Sequence, residues 1–224
     1  MMDLPGNKVR IRNLDKGIVL EATTEGIRFL SKSDGVLINN KGVRARGIHE
    51  EIPFLFEKDK QLIELANQYG LDFIGLSFVR KSEDVREAKE LLNSKTQVIS
   101  KIETIDVVQN TNEILPLVRY VLVDRGDLST DIGIENVLRY QRFIIEKAHF
   151  YDEKIFLATQ ILKNMETKPI PTIGEIEALY EIYKSGAYGV RMSEETAVGK
   201  YVKEYVDMLY KMTTEVAAEG VSCI

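Results

Sequence analysis

From residue 58 onward, short apolar runs alternate with segments of helical periodicity, and no other feature of the chain restricts its fold so tightly. Residues 58–69 (KDKQLIELANQY) carry apolar side chains at helical spacing and stop at Gly70, a residue suited to a helix C-terminus. FIGLSFV at 73–79, QVISKI at 97–102, YVLVD at 120–124, KIFLATQ at 154–160 and YGVRM at 188–192 read as strands. Helical patterns separate them: SEDVREAKELL, a run near 105–115, residues 135–150, a short helix broken by Pro169 and Pro171, residues 173–184 and about 201–218. Such alternation predicts right-handed βαβ units and an α/β fold with a parallel sheet. The strand runs FIGL, IFLA and YVLV are almost continuously apolar, as expected of strands covered on both faces.

The first quarter of the chain has another rhythm. Between Lys8 and Gly47, KVRIRNL, GIVLEATT, GIRFLSK, GVLINN and GVRARGI are divided by Asp-Lys-Gly, Glu-Gly, Ser-Asp-Gly and Asn-Lys-Gly turns, the pattern of a small antiparallel meander. The predicted organisation is therefore a β-rich segment at 8–47 inserted into an α/β domain formed by 1–7 and 48–224.

Polar residues gather where the predicted parallel strands end: Ser77 and Arg80, Lys101 and Glu103, Arg125 and Asp127, Thr159, then Ser193 and Glu195. In a (β/α) barrel the loops after the strands build the active site at this edge. Lys101 and Glu103 are two apart, so on a strand they share a face, with Ser100 and Ile102 on the other. Neighbouring strands lie about 4.8 Å apart. Glu103 and Asp127 can thus converge on a small divalent cation, whose oxygen ligands sit at about 2.1 Å. A lysine beside it would stabilise negative charge on a phosphoryl group or an enolate oxygen. Gly126 lets the backbone approach an anion, and the Gly126 and Asp127 amides, with the Thr159 hydroxyl, offer donors to a carboxylate or phosphate. Taken singly, Lys101 with Glu103 is an ordinary rim ion pair, Arg-Gly-Asp is a common turn, and Glu195 is a helix-start acid. His49 and His149 read as structural or exposed, and the acidic SEDVREAKE helix as a solvated face. The ordered series of five polar strand ends carries the functional reading.

A net charge of -5 and a pI near 5.3 argue against a nucleic-acid surface, which relies on basic patches to displace counterions. The single cysteine, Cys223, fits a reducing compartment. MMDLPGNKVR has no apolar signal core, and no apolar run nears the roughly 18 residues that span a bilayer. These features predict a cytoplasmic protein without membrane partners.

Taken in order, the segments resemble the pyruvate kinase family: DLPGNKVRI (3–11), EKDKQLIELANQYGLDFIGLSFVRKSEDV (57–85), VISKIET, VLVDRGDLS, ATQILKNMETKPIPTIGE and MSEETAVGKY. The resemblance implies a TIM-type (β/α) barrel of the phosphoenolpyruvate/pyruvate class, with the 8–47 segment equivalent to a shortened lid domain. It implies that Lys101 lies at the transferred phosphoryl group and that Glu103 and Asp127 hold Mg²⁺ or Mn²⁺. Gly126 and Asp127 amides would bind the substrate carboxylate, with Thr159 beside them, and Ser193 and Glu195 would belong to the proton network. Arg10 would contact the phosphoryl group, Ser77 and Phe78 would line the pocket, and Asp3 would lie near K⁺.

The chain also departs from that pattern. It starts at what resembles the third barrel strand, the lid-like segment is short, and a C-terminal regulatory domain has no counterpart. Asp124 stands where the family usually has alanine and Glu194 where it has glycine, and both add negative charge near an anion site. The sequence therefore leads first to a metal-dependent lyase, a decarboxylase or aldolase of a 2-oxo acid acting through an enolate. Phosphoryl transfer from phosphoenolpyruvate, completed by oligomerisation or a partner chain, is the second expectation, and a non-catalytic phosphoenolpyruvate or pyruvate binder the third. An incomplete or rearranged barrel with open sheet edges predicts a homo-oligomer or a partner chain.

Overall fold

In a computed structural model of the chain, residues 1–4 and 53–219 are described in full. Of the remainder, the backbone of 9–10, 22–23, 26–27 and 42–43 is described. Two compact units divide the chain: Met1–Gly6 with Pro53–Ile224, and Asn7–Ile52. In the smaller unit β2 (Val9–Arg10) pairs antiparallel with β5 (Gly42–Val43), and β3 (Ala22–Thr23) with β4 (Gly26–Ile27). The rest of the expected meander lies outside the described residues.

The larger unit is a six-stranded, wholly parallel sheet in the order β1 (Met2–Leu4), β6 (Phe73–Leu76), β7 (Gln97–Ile102), β8 (Tyr120–Asp124), β9 (Lys154–Ala158) and β10 (Gly189–Arg191). It curls into a half-barrel, an incomplete α/β barrel with helices on its outer side. The helices are α1 (Glu57–Tyr69), α2 (Ser82–Leu91), α3 (Ile105–Gln109), α4 (Thr111–Ile114), α5 (Arg125–Ile132), α6 (Val137–Phe150), α7 (Ile173–Lys184), α8 (Glu194–Ala197) and α9 (Val202–Ala218).

Strand parity distributes the side chains. Ile74, Leu76, Val98, Ile102, Val121, Val123, Ile155 and Leu157 face the helices and join the main core, which buries Ile63, Val85, Ile114, Ile144 and Leu179. The opposite parity supplies a small second cluster, Ile99, Leu122 and Ala158, flanked by Phe73, Tyr120 and Phe156. Phe73 and Tyr120 meet edge to face at 5.2 Å. This concave side holds a largely apolar cavity of about 490 Å³ whose lining runs from Met1 to Val190 and Arg191, that is, to both edge strands.

Several boundaries differ from the sequence expectation. The 73–79 strand ends at Leu76, because Phe78 turns into the left-handed region at φ 56°. The helix expected near 105–115 is interrupted at Asn110, the C-cap of α3, before α4 begins at Thr111. Arg125-Gly126-Asp127 opens α5, with Asp124 as its N-cap, so the Gly126 and Asp127 amides lie in a first helical turn and not in the common turn that the tripeptide alone suggests. The expected 135–150 helix starts as a 3₁₀ turn at Ile134–Asn136 and becomes α-helical at Val137.

Candidate active site at the carboxyl edge of the sheet

Lys101, on the concave face near the end of β7, is buried at 6% exposure. Its ammonium lies 2.7 Å from Glu103 Oε1 and donates to Ser77 Oγ at 3.1 Å. Burial alone would lower the lysine, but Glu103, joined by Asp3 and Asp124, outweighs it and holds the ammonium above its ordinary value. Glu103 is more deeply buried, at 1% exposure. Burial pushes its carboxyl up, opposed by Lys101 and by the Phe78 amide, which donates to Oε2 at 2.7 Å. The left-handed backbone at Phe78 is what turns that amide toward the acid; a bulky residue adopts this conformation at a cost of order 1–3 kcal/mol, and such outliers cluster at functional sites.

The β8–α5 corner brings two more acids. Oxygens of Glu103, Asp124 and Asp127 all lie within 4.8 Å of one another. Three hard carboxylate donors this close suit Mg²⁺ or Mn²⁺, so the residues fit the metal that the sequence leads one to expect. Glu103 and Asp127 are thus brought together, and Asp124 joins them.

The loop after β9 closes the next side. Thr159, Gln160 and Leu162 all have positive φ, 64°, 53° and 53°, and for β-branched Thr159 this is a strained conformation. Arg125 holds the loop: its guanidinium donates to the carbonyls of Ala158 at 3.2 Å, Thr159, and Gln160 at 3.2 Å. Burial pushes this guanidinium down, while Asp124, Glu195 and Tyr205 support its charge. The Gly126 amide donates to Thr159 Oγ1 at 2.8 Å, and that hydroxyl donates to the Ala158 carbonyl at 2.7 Å. The donors expected to share one anion are therefore bonded to each other in this structure. The Asp127 amide reaches Asp124 Oδ1 at 3.5 Å.

Glu195, in α8, is 1% exposed, and its Oε1 has no hydrogen-bond partner among the described residues. The Glu195 carbonyl sits so close to Gly199 that a β-carbon there would lie 1.9 Å away, so the turn holding Glu195 depends on glycine. Fully buried Tyr205 of α9 has an unpartnered hydroxyl, and burial with Glu195 nearby pushes it above its ordinary value. Sequence reasoning passed over Tyr205 because nothing in a helical pattern marks such a contact. Ser193 is half-buried before α8, its carbonyl accepting from Thr196 and Ala197. Asp3 projects over Gly75 and pairs with Arg191. Ser77 and Phe78 are buried beside the Lys101–Glu103 pair. Arg10 lies in the smaller unit, and its side chain is outside the described residues. No helix among the described residues is long and apolar enough to cross a membrane.

Comparison with known proteins gives this arrangement its lineage. The pyruvate kinase barrel domain matches over residues 6–206. A pyruvate kinase from Thermotoga maritima is 34% identical over 200 residues, covering 88% of this chain and 43% of its own length. One from Geobacillus stearothermophilus is 37% identical over 191 residues, covering 83% and 32%, and one from Thermococcus litoralis 36% over 202 residues, covering 88% and 42%. The chain thus spans less than half the length of these relatives. An incomplete parallel barrel, an acidic strand-end cluster at VISKIET and VLVDRGDLS, and a match across most of the sequence agree: the chain belongs to the pyruvate kinase family.

Proposed function

We propose that this chain carries the pyruvate side of a phosphoenolpyruvate-dependent phosphoryl transfer, and that Lys101, together with a divalent cation that the adjoining carboxylates would hold, stabilises the enolate of pyruvate as it leaves phosphorus. The observation that supports this most strongly is the convergence of a buried ammonium and three carboxylates at one strand edge. Glu103 and Asp127 hold the divalent cation, Mg²⁺ or Mn²⁺, which supplies Lewis-acid polarisation of the substrate oxygens when bound. As the bond between phosphorus and the C2 oxygen breaks, the Lys101 ammonium meets the charge left on that oxygen, in a buried setting where such an interaction is strong. Ser77 orients the ammonium, and the Phe78 amide orients Glu103. The Gly126 and Asp127 amides take the substrate carboxylate once Thr159 yields its bond to Gly126. Protonation of C3 completes the conversion to pyruvate, from the side of Thr159, Ser193 and Glu195. Arg10 is assigned to the phosphoryl group, Asp3 to the neighbourhood of K⁺, and the 8–47 segment to the role of a lid. The open side of the curl is read as the place where further βα units, or a partner chain, complete the barrel.

A second reading, a lyase that decarboxylates or cleaves a 2-oxo acid through the same enolate, is favoured by Asp124, whose charge disfavours a highly charged phosphorylated substrate. Two assays separate the readings: ATP formation from phosphoenolpyruvate and ADP, and pyruvate formation from oxaloacetate, each with and without Mg²⁺. Phosphoryl transfer predicts metal-dependent turnover in the first, lost by at least about 100-fold in Glu103→Gln and Lys101→Met. Turnover of oxaloacetate alone would establish the lyase. Metal-independent turnover in either assay, or turnover unaffected by Glu103→Gln, would reject the assignment of this site.

A further inference from the structure

We infer that Asp124 is a third protein ligand of the divalent cation, a deepening that rests on the metal site proposed for Glu103 and Asp127. Asp124 ends β8 on the concave face, the parity shared by Tyr120 and Leu122, and is 8% exposed. A carboxylate so deeply buried ordinarily gathers several hydrogen bonds. Among the described residues, one donor is recorded for Asp124, the Asp127 amide at the long distance of 3.5 Å, and it meets Oδ1. Arg125, its chain neighbour, donates to the carbonyls of 158–160 and meets Asp124 through charge rather than a hydrogen bond. An oxygen of Asp124 lies within 4.8 Å of oxygens of Glu103 and Asp127. The two observations are independent: one is the spacing of three acids, the other the under-use of a buried one.

The third ligand has chemical consequences. Three carboxylates face one divalent cation, the Lys101 ammonium and, beside Asp124, the Arg125 guanidinium, so the loaded site holds at most one surplus positive charge for a substrate. Mg²⁺ and Mn²⁺ favour octahedral coordination, about six positions, so three protein oxygens leave roughly three for water or substrate. That is room for a chelating carboxylate and its neighbouring oxygen, with one water. Recognition then depends on chelation more than on net charge, which suits small 2-oxo acids.

Asp124 also caps α5, so the test must separate the cap from the ligand. Asn caps a helix about as well as Asp but carries no charge. Mn²⁺ binding to the whole chain, without substrate, is measured by electron paramagnetic resonance for the parent, Asp124→Asn and Glu103→Gln, and the inner-sphere waters of bound Mn²⁺ are counted by isotope-edited pulsed methods. The inference expects roughly three waters in the parent and about four in Asp124→Asn. It also expects at least about tenfold weaker binding in that variant, with far-UV circular dichroism and melting in chelator preserved. Four waters in the parent would overturn it, and this count needs no variant to fold. Loss of binding in Glu103→Gln with Asp124→Asn within twofold of the parent rejects Asp124 alone. Unchanged binding in both variants rejects the whole metal site.

Discussion

Asp3, on the first strand of the parallel sheet, accepts a hydrogen bond from the guanidinium of Arg191, on the last strand, 188 residues away in sequence. Among the described residues neither β1 nor β10 has a strand on its outer side, so this ion pair joins the two edges of the half-barrel at the end where the strands finish. Both side chains are about a third exposed, 32% for Asp3 and 37% for Arg191, so water and salt screen the attraction. A double-mutant cycle of Asp3→Asn and Arg191→Gln, read by urea unfolding, is expected to give a coupling of about 0.5–1 kcal/mol at low salt, falling in 0.5 M NaCl. A coupling near zero at low salt would mean that the sheet curls without help from this pair.

Gly75 makes that pairing sterically feasible. A β-carbon at this position of β6 would lie 2.3 Å from Asp3 Oδ1 and 2.8 Å from Met1 Cε. Both atoms are the tips of flexible side chains, so Gly75→Ala is expected to push Asp3 away from Arg191 and to cost little beyond the lost pairing, about 0.5–1 kcal/mol. In the alanine background the Asp3–Arg191 coupling should vanish, which a second cycle measures directly.

Five of the six parallel strands are legible because strands buried on both faces are written as apolar runs, and FIGL, YVLV and IFLA sit where β6, β8 and β9 form; β1, three residues long, is too short to show a pattern and is marked only by the family resemblance of residues 3–11. Lys101 could be assigned to the face opposite Ser100 and Ile102 from period two alone, and the core agrees, with Ile102 among the helix-facing residues and Ile99 on the concave side. What hydrophobic pattern cannot record is backbone handedness. Phe78 continues an apolar run, yet its positive φ ends the strand and delivers an amide to Glu103; Thr159 and Gln160 likewise look like a strand end and form a left-handed loop. Asp124 was read for its charge, and only three-dimensional proximity joins it to the other acids. The burial of Glu195 beside Tyr205 depends on how α8 and α9 pack, which no local spacing encodes.

Arg125 uses the planar fork of its guanidinium to hold three successive carbonyls of the strained loop after β9. A lysine supplies a point charge without that geometry. Arg125→Lys is expected to cost about 1–3 kcal/mol, and the amides of residues 159–161 should exchange hydrogen faster than those of β9. Uniform exchange rates across loop and strand in the variant would show that the loop holds its shape without the fork.

At the opposite edge of the sheet, where the strands begin, Glu153 lines a cavity of about 430 Å³ together with Arg119, Asp152, His149 and Lys154. Its Oε2 has no hydrogen-bond partner among the described residues. Burial pushes the carboxyl up to about 7 from 4.5, with Asp152 acting in the same direction and Arg119 and Lys89 against it. The folded state therefore holds a proton that the unfolded chain releases, and the contribution of this group is complete below about pH 4.5 and is lost as pH rises through about 7. The carboxyl is partly solvated, so the loss is discounted to about 1 kcal/mol. Glu153→Gln should match the parent at pH 4.5 and exceed it by about that amount at pH 8 in urea titrations. Parallel stability curves for the two proteins across this range would refute the assignment.

Removing the charge of Lys101 probes the centre of the site. Glu103 is 1% exposed, and the ammonium 2.7 Å away is its cationic neighbour. Breaking a buried ion pair from one side typically costs about 3–5 kcal/mol, because the remaining charge stays desolvated. Lys101→Met is therefore expected to lose about that much stability in chelator. A divalent cation held by Glu103, Asp124 and Asp127 restores positive charge at nearly the same point, so saturating Mn²⁺ should recover a larger share of stability in the variant than it adds to the parent. At 100 times its dissociation constant the cation contributes about 2.7 kcal/mol through binding alone. Thermal melts of both proteins across a Mn²⁺ titration measure the difference, and an equal rise in the two would show that the cation and the ammonium do not share the Glu103 charge.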